Sequence, residues 1–175
     1  MSIQSARKQA ELLVASLGIK LAPVNVEDVA KHLGLRIISM DLEEGVSGLL
    51  ITKPNSSCIV IRQDDPAVRQ RFSIAHEIGH FFLRHQFESG EHVHVDRGYR
   101  ISHRDQHSST GTNLKEVEAN QFAASLLMPA PLLMESTKGL EIEEFNDEHV
   151  TKLASIFRVS EQAMTIRLSV LGLLS

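Results

Sequence analysis

Hydrophobic residues recur every three to four positions along most of this chain, the spacing of helices that bury one face. Residues that typically begin a helix support the prediction for two of these stretches. Asn25 can cap a short second helix, and Asp64-Asp65-Pro66 places a capping carboxylate before a proline at the first helical position of the third. The predicted helices cover about 5–17, 26–33, 66–84, 113–128, 131–136, 147–157 and 160–172.

The third of these helices should lie at the centre of the fold, because one of its faces is strongly apolar. The residues expected to face the core are Val68, Phe72, Ala75, Ile78 and Phe82. Gly79 lies in the middle of the same helix, where glycine costs about 1 kcal/mol relative to alanine. Such a residue suggests that another backbone or a substrate passes close to the helix there.

Strands are predicted where β-branched and aliphatic residues form short runs, at 35–40, 46–52 and 57–62. The turn-forming segment Lys53-Pro54-Asn55-Ser56 separates the last two runs and predicts an antiparallel hairpin. The run from Val46 to Thr52 is a candidate edge strand that could hold an extended peptide by main-chain pairing.

Residues 86–112 break the regular pattern, and we expect at most one short strand there, at 92–95, within a long loop. Together the elements predict an α+β fold, with helices packed on a small, mainly antiparallel sheet of about three strands. We expect residues 1–136 to form the main domain and residues 137–175 to form a helical extension packed on it.

Composition narrows the class of protein. Hydrophobic residues make up 42% of the 175 residues and charged residues 23%, which is typical of a soluble domain with a real core. The net charge is −4, so the overall charge of the protein does not favour binding to nucleic acid or to an anionic membrane. Cys58 is the only cysteine, and no apolar run approaches the roughly 20 residues of a membrane span. The expected location is the cytoplasm.

The sequence His76-Glu77-Ile78-Gly79-His80 within the third helix matches the metal-binding pattern H-E-x-x-H. Residues four apart share a helical face, so His76 and His80 can offer two imidazoles to one metal ion. Glu77 points partly off that stripe, which leaves its carboxylate available as a general base. Two ordinary helical histidines are the alternative.

A catalytic zinc site needs three protein ligands and an open position, so a third ligand should come from another element. Glu116 and Glu118, near the start of the fourth predicted helix, are the candidates. We expect Glu116, because it shares a stripe with the small residues Ala119 and Ala123, which would allow a close approach to Gly79. Asn120 lies on the same stripe, where its amide could orient a liganding histidine. Glu118 remains the alternative ligand.

Two blocks of the sequence together resemble the ImmA/IrrE family of zinc metallopeptidases. The first is Arg71-Phe72-Ser73-Ile74-Ala75 followed by the H-E-x-x-H motif, and the second runs from Glu116 to Pro129. The resemblance implies a gluzincin-like fold, a Zn²⁺ ion bound by His76, His80 and Glu116, and Glu77 as the catalytic residue. It also implies cleavage of a protein partner, typically a helix-turn-helix transcriptional repressor.

Other functions remain open at this stage. The segment from Val150 to Leu171 resembles a helix-turn-helix, which would suggest DNA binding, but the charges between Asp147 and Ser175 sum to zero, and a DNA reader normally presents a basic face. A non-catalytic binding module on the same fold is a further alternative. No residue that stabilises the oxyanion can be identified from the sequence. The residues that could reach the cleft for this role are Tyr99, Arg100, His103 and His107. His85, His92 and His94 also have no assigned role.

Overall fold

The computed structural model describes residues 2–53, 56–85, 93–96, 110–139 and 146–174. The helices are α1 (Ile3–Ser16), α2 (Val26–His32), α3 (Ala67–Phe82), α4 (Thr110–Leu127), α5 (Ala130–Ser136), α6 (Asp147–Phe157) and α7 (Glu161–Val170). The strands are β1 (Arg36–Met40), β2 (Gly48–Ile51), β3 (Cys58–Arg62) and β4 (Val93–Asp96). The predicted α+β class is confirmed.

Within the described residues, the four strands form one mixed sheet in the order β1-β3-β2-β4. β2 pairs antiparallel with both β3 and β4, whereas β1 runs parallel to β3. The predicted hairpin is therefore correct, and the short strand expected near 92–95 joins the sheet. The expectation that Val46–Thr52 is an edge strand is wrong, because β4 pairs with β2 and leaves it no open side. A peptide cannot add to β2 by main-chain pairing.

The core lies between the sheet and a layer of helices, and α3 and α4 form its centre. Gly79 explains how closely these two helices approach. A Cβ atom at Gly79 would lie 3.2 Å from the Ala119 carbonyl oxygen and 3.2 Å from Cδ1 of Phe122. The close approach predicted at Gly79 is thus made by the backbone of α4.

The start of α3 differs from its prediction. Pro66 is itself the N-cap, with an extended backbone (φ −54°, ψ 147°) and no side-chain capping bond. The expected cap by an aspartate before a proline at the first helical position is wrong, because the extended Pro66 moves the helix start forward by one residue. Val68 is also 39% exposed and does not join the apolar face, since the first turn extends beyond the core.

Two arginine side chains, the buried Arg167 and the half-buried Arg71, connect the last helices to the rest of the fold. Arg167 on α7 donates to the Met128 carbonyl at 3.0 Å and pairs with Glu11 on α1 at 2.9 Å. The same Glu11 carboxylate accepts the Ala130 N–H at 2.9 Å. Arg71 on α3 donates to the carbonyl oxygens of Val24, Phe157 and Arg158. The division at residue 136 into domain and extension stays a prediction.

Cys58 is buried, as expected for a small apolar residue in a strand. None of the helices in the described ranges has the length and apolar character that crossing a bilayer requires.

Candidate metal centre

The middle of α3 carries the motif that the sequence singled out, and it is fully enclosed there. Every residue from Ser73 to His80 is buried. His76 and His80 lie one turn apart, with their Nε2 atoms 3.0 Å from each other. Glu77 is 0% exposed and points to the sheet, where Gly48 of β2 leaves room for it. A Cβ atom on Gly48 would lie 3.2 Å from Oε1 of Glu77.

Helix α4 brings Glu116 to the two imidazoles. Its Oε2 atom lies 3.3 Å from Nε2 of His76, and its Oε1 atom lies 3.4 Å from Nε2 of His80. The histidine side chains are 3% and 0% exposed, whereas that of Glu116 is 34% exposed. The cluster is therefore closed by α3 on one side and open to solvent beside Glu116.

A third histidine, His94 on β4, completes the group. Its Nδ1 atom lies 3.0 Å from Oε2 of Glu77, and its Nε2 atom lies 3.1 Å from Oε1 of Glu116. Because carboxylate oxygens only accept, both ring nitrogens of His94 donate, which makes the ring an imidazolium. One donor atom from each of His76, His80, His94 and Glu116 lies within 4.8 Å of the others.

Outer contacts fix which nitrogen of each helical imidazole faces the cluster. Nδ1 of His76 donates to Oδ1 of Asn120 at 3.0 Å. Nδ1 of His80 lies 3.0 Å from Nδ1 of His85, whose Nε2 donates to Glu118 at 3.1 Å. With hydrogens on both Nδ1 atoms, His76 and His80 direct Nε2 lone pairs into the cluster.

The electrostatics separate the histidines. Burial lowers the pKa of His80 to about 3, although the nearby Glu116 carboxylate opposes the shift. Burial alone would also lower the pKa of His94, but its hydrogen bonds to Glu116 and Glu77 raise the pKa to about 9. Burial by itself raises the pKa of Glu116, yet the surrounding imidazoles outweigh it and hold that pKa well below its usual range. At neutral pH, His80 is thus uncharged, whereas His94 carries a positive charge.

These donor atoms suit a divalent cation. Two nitrogen lone pairs 3.0 Å apart, with carboxylate oxygens 3.3 and 3.4 Å away, repel one another unless positive charge lies between them. In a tetrahedral zinc site with metal–ligand distances of about 2.0–2.1 Å, neighbouring ligand atoms lie about 3.3 Å apart. The distances among His76, His80 and Glu116 are close to that value. Imidazole and carboxylate are also ligands that zinc accepts.

The structure brings together the residues that the sequence proposed as a site: His76, Glu77, His80, Glu116 and Asn120. Their roles as ligands, general base and orienting residue stay predictions. Glu118, the alternative ligand, faces His85 instead. Sequence reasoning missed His94, although its alternation with the exposed Val95 was a signal that it points inward. The suggested oxyanion donors Tyr99, Arg100, His103 and His107, and also His92, lie outside the described residues.

The comparisons with known proteins agree with this arrangement. The family described as IrrE N-terminal-like domain (Peptidase M78) matches residues 30–169, which include every helix and strand that contributes to the cluster. A comparison with curated proteins gives no match. Because the family match covers well over half of the 175 residues, the chain belongs to the family of IrrE N-terminal-like domains.

Proposed function

We propose that this protein is a zinc-dependent metalloendopeptidase in which His76, His80 and Glu116 bind the metal and Glu77 is the general base. The observation that carries the proposal is the placement of Glu77. Its carboxylate is buried beside the cluster, 3.0 Å from His94, and it is not one of the four converging donors. A base held close to a cation site without binding the cation is what metal-assisted hydrolysis needs.

A zinc ion, when bound, would polarise a water molecule and the carbonyl group of the scissile peptide. Glu77 would accept the proton of the attacking water and return it to the leaving amine. His94 supports the carboxylate form of Glu77 by donating from Nδ1. Gly48 leaves the space that the Glu77 side chain occupies. The exposed side of Glu116 gives the direction from which a peptide can enter.

The resemblance to the ImmA/IrrE family supports a protein as substrate, and specifically a helix-turn-helix transcriptional repressor. A peptide substrate would have to use contacts other than β2, because that strand is paired on both sides. We propose a cytoplasmic protein that acts on such a repressor and does not itself bind DNA.

The test compares the zinc-loaded wild type with the Glu77→Gln variant on a panel of purified helix-turn-helix repressors, and new protein termini are identified by mass spectrometry. Loss of a general base typically costs about 10²–10⁴-fold in rate. We expect Glu77→Gln to keep its zinc and to lose cleavage by that factor. Glu135→Gln is the matched control, because Glu135 is an exposed residue paired only with Lys138 among the described contacts. Cleavage that persists in Glu77→Gln would remove Glu77 as the base.

One observation favours a second candidate, a non-catalytic module that binds its metal with four protein ligands. His94 lies within reach of the same position as the other three donors. A site filled by four side chains is typical of a structural metal site, since it leaves no position for water. Against this, both nitrogens of His94 already donate to carboxylates, so His94 would have to lose a proton before it could bind a metal.

A further inference from the structure

The C-terminal end of α3 places His85 against His80. Arg84 has a left-handed backbone with φ 54°. The Arg84 N–H donates to the Phe81 carbonyl at 3.1 Å, and the His85 N–H donates to the His80 carbonyl at 3.1 Å. This pair of bonds is a Schellman motif, which turns the chain back over the last helical turn. The His85 ring then lies 5.0 Å from the His80 ring, at 75° to it.

Hydrogen bonds continue from this contact to Glu118 on α4. The Glu118 carboxylate accepts from Nε2 of His85 at 3.1 Å, and Nδ1 of His85 lies 3.0 Å from Nδ1 of His80. The side chains of His85 and Glu118 are only 5% and 3% exposed. Water therefore competes little for these bonds.

The carboxylate determines the proton positions along this series. Glu118 accepts, so the hydrogen of a neutral His85 is on Nε2, and its Nδ1 is an acceptor. His80 must then donate from its own Nδ1. This leaves the lone pair of His80 on Nε2, the atom that faces His76 and Glu116. The opposite tautomer would direct an N–H into the cluster and could not bind a cation.

We propose that His85 and Glu118 are positioning residues, which hold His80 in the orientation and tautomer that a metal ion requires. The inference rests on the metal site of the proposed function and deepens it. It gives α4 two tasks: Glu116 contributes a donor atom, and Glu118 acts on His80 through His85. His76 has a shorter counterpart, since it donates directly to Asn120.

A purely structural role for the pair would have a different signature. If His85 and Glu118 only stabilise the end of α3, their removal lowers the stability of the metal-free fold and leaves the intrinsic metal affinity unchanged. If they position His80, metal affinity falls even when the fold is intact. Outer partners of metal-binding histidines typically contribute about 10–100-fold in affinity.

The test uses two changes at residue 85. His85→Gln keeps an acceptor for His80 and a donor for Glu118, whereas His85→Leu has neither. Because His85→Leu alone would leave a buried carboxylate facing an apolar group, it is combined with Glu118→Leu. Zinc affinity is measured by chelator competition, and the visible absorption bands of Co²⁺ report the coordination geometry. Val150→Ala, a core change on α6, controls for a general loss of stability.

We expect the His85→Leu/Glu118→Leu double variant to bind zinc about 10–100-fold more weakly, with shifted cobalt bands. His85→Gln should remain close to the wild type, and Val150→Ala should lose stability but keep its affinity. Wild-type affinity and an unchanged cobalt spectrum in the double variant would overturn this inference and leave the metal site standing. Failure of His85→Gln to rescue affinity would also overturn it. A wild type that binds neither zinc nor cobalt would refute the site and the inference together.

Discussion

The two sides of the metal cluster are built in different ways. On the helix side, α3 and α4 touch backbone to backbone at Gly79 and Ala119, and they supply His76, His80 and Glu116. On the strand side, His94 comes from β4, a four-residue strand held by its register with β2. The helix side is thus placed by packing of the core. The strand side is placed by a few main-chain bonds at the margin of the sheet.

This difference separates two chemical roles. The donors on the helix side converge with lone pairs that repel unless a cation lies among them. His94 instead donates to Glu77 and to Glu116, so it serves the carboxylates. We therefore expect His76, His80 and Glu116 to bind the metal. We expect His94 to stabilise the carboxylate forms of Glu77 and Glu116.

The largest effect should come from removing a helix-side donor. We expect Glu116→Ala to weaken zinc binding by more than the roughly 100-fold that loss of an outer partner costs, because a ligand is lost outright. His94→Ala should weaken it by less than about 10-fold. Chelator competition on both variants measures the two values. Equal losses would contradict the division and would favour the four-ligand site.

The next largest effect should be the change with pH in the free energy of unfolding of the metal-free protein. The pKa of His94 rises from 6.5 to about 9 on folding, so its contribution is complete below pH 6.5 and is lost as the pH rises toward 9. A shift of that size corresponds to about 3 kcal/mol. The pKa of His80 falls to about 3, so stability is also lost as the pH drops below 6.5. The chelator-treated protein should be most stable near pH 6.5.

Urea unfolding from about pH 4 to about pH 9.5, on both sides of the expected maximum, measures this profile. The control is His94→Gln, in which the loss above pH 6.5 should disappear while the loss below it remains. A wild-type profile that is flat from neutral to alkaline pH would show that His94 is not the charged partner of the two carboxylates.

The smallest effect should be that of Gly79→Ala. Alanine favours a helix by about 1 kcal/mol over glycine, but its Cβ would lie 3.2 Å from the Ala119 carbonyl oxygen. Because backbone atoms of α4 cannot move aside cheaply, we expect a net destabilisation of about 1 kcal/mol. Thr165→Ala and Thr165→Gly, at an exposed position of α7, give the helix propensity without the contact. A more stable Gly79→Ala would mean that the two helices can separate.

The helix side could be predicted from the sequence because its signals are local. The spacing of His76 and His80 follows from the helical repeat alone. Ala119, one turn from Glu116, indicated which face of α4 could approach Gly79. The stripe of small residues and the contact at Gly79 agree, which is why Glu116 was the better of the two acids to expect beside the imidazoles.

The strand side of the cluster and the C-terminal end of α3 were harder to predict from the sequence than the helix side. β4 is too short for its alternation to establish a partner, so β2 was expected at the edge of the sheet. His85 was missed for another reason. Arg84 occupies the left-handed position where glycine usually marks a helix end, so nothing in the sequence indicated that the chain turns back toward His80 there.

The carboxylate of Glu11 joins the first helix of the fold to its last. It accepts from Ala130 at the start of α5 and pairs with the buried Arg167 of α7. A fragment ending at residue 136 would lose the arginine and leave Glu11 without its cation. A fragment beginning after residue 136 would keep Arg167 but lose Glu11, its acidic partner. Protein engineers who divide this chain there should therefore coexpress the two pieces, so that Glu11 and Arg167 can meet again.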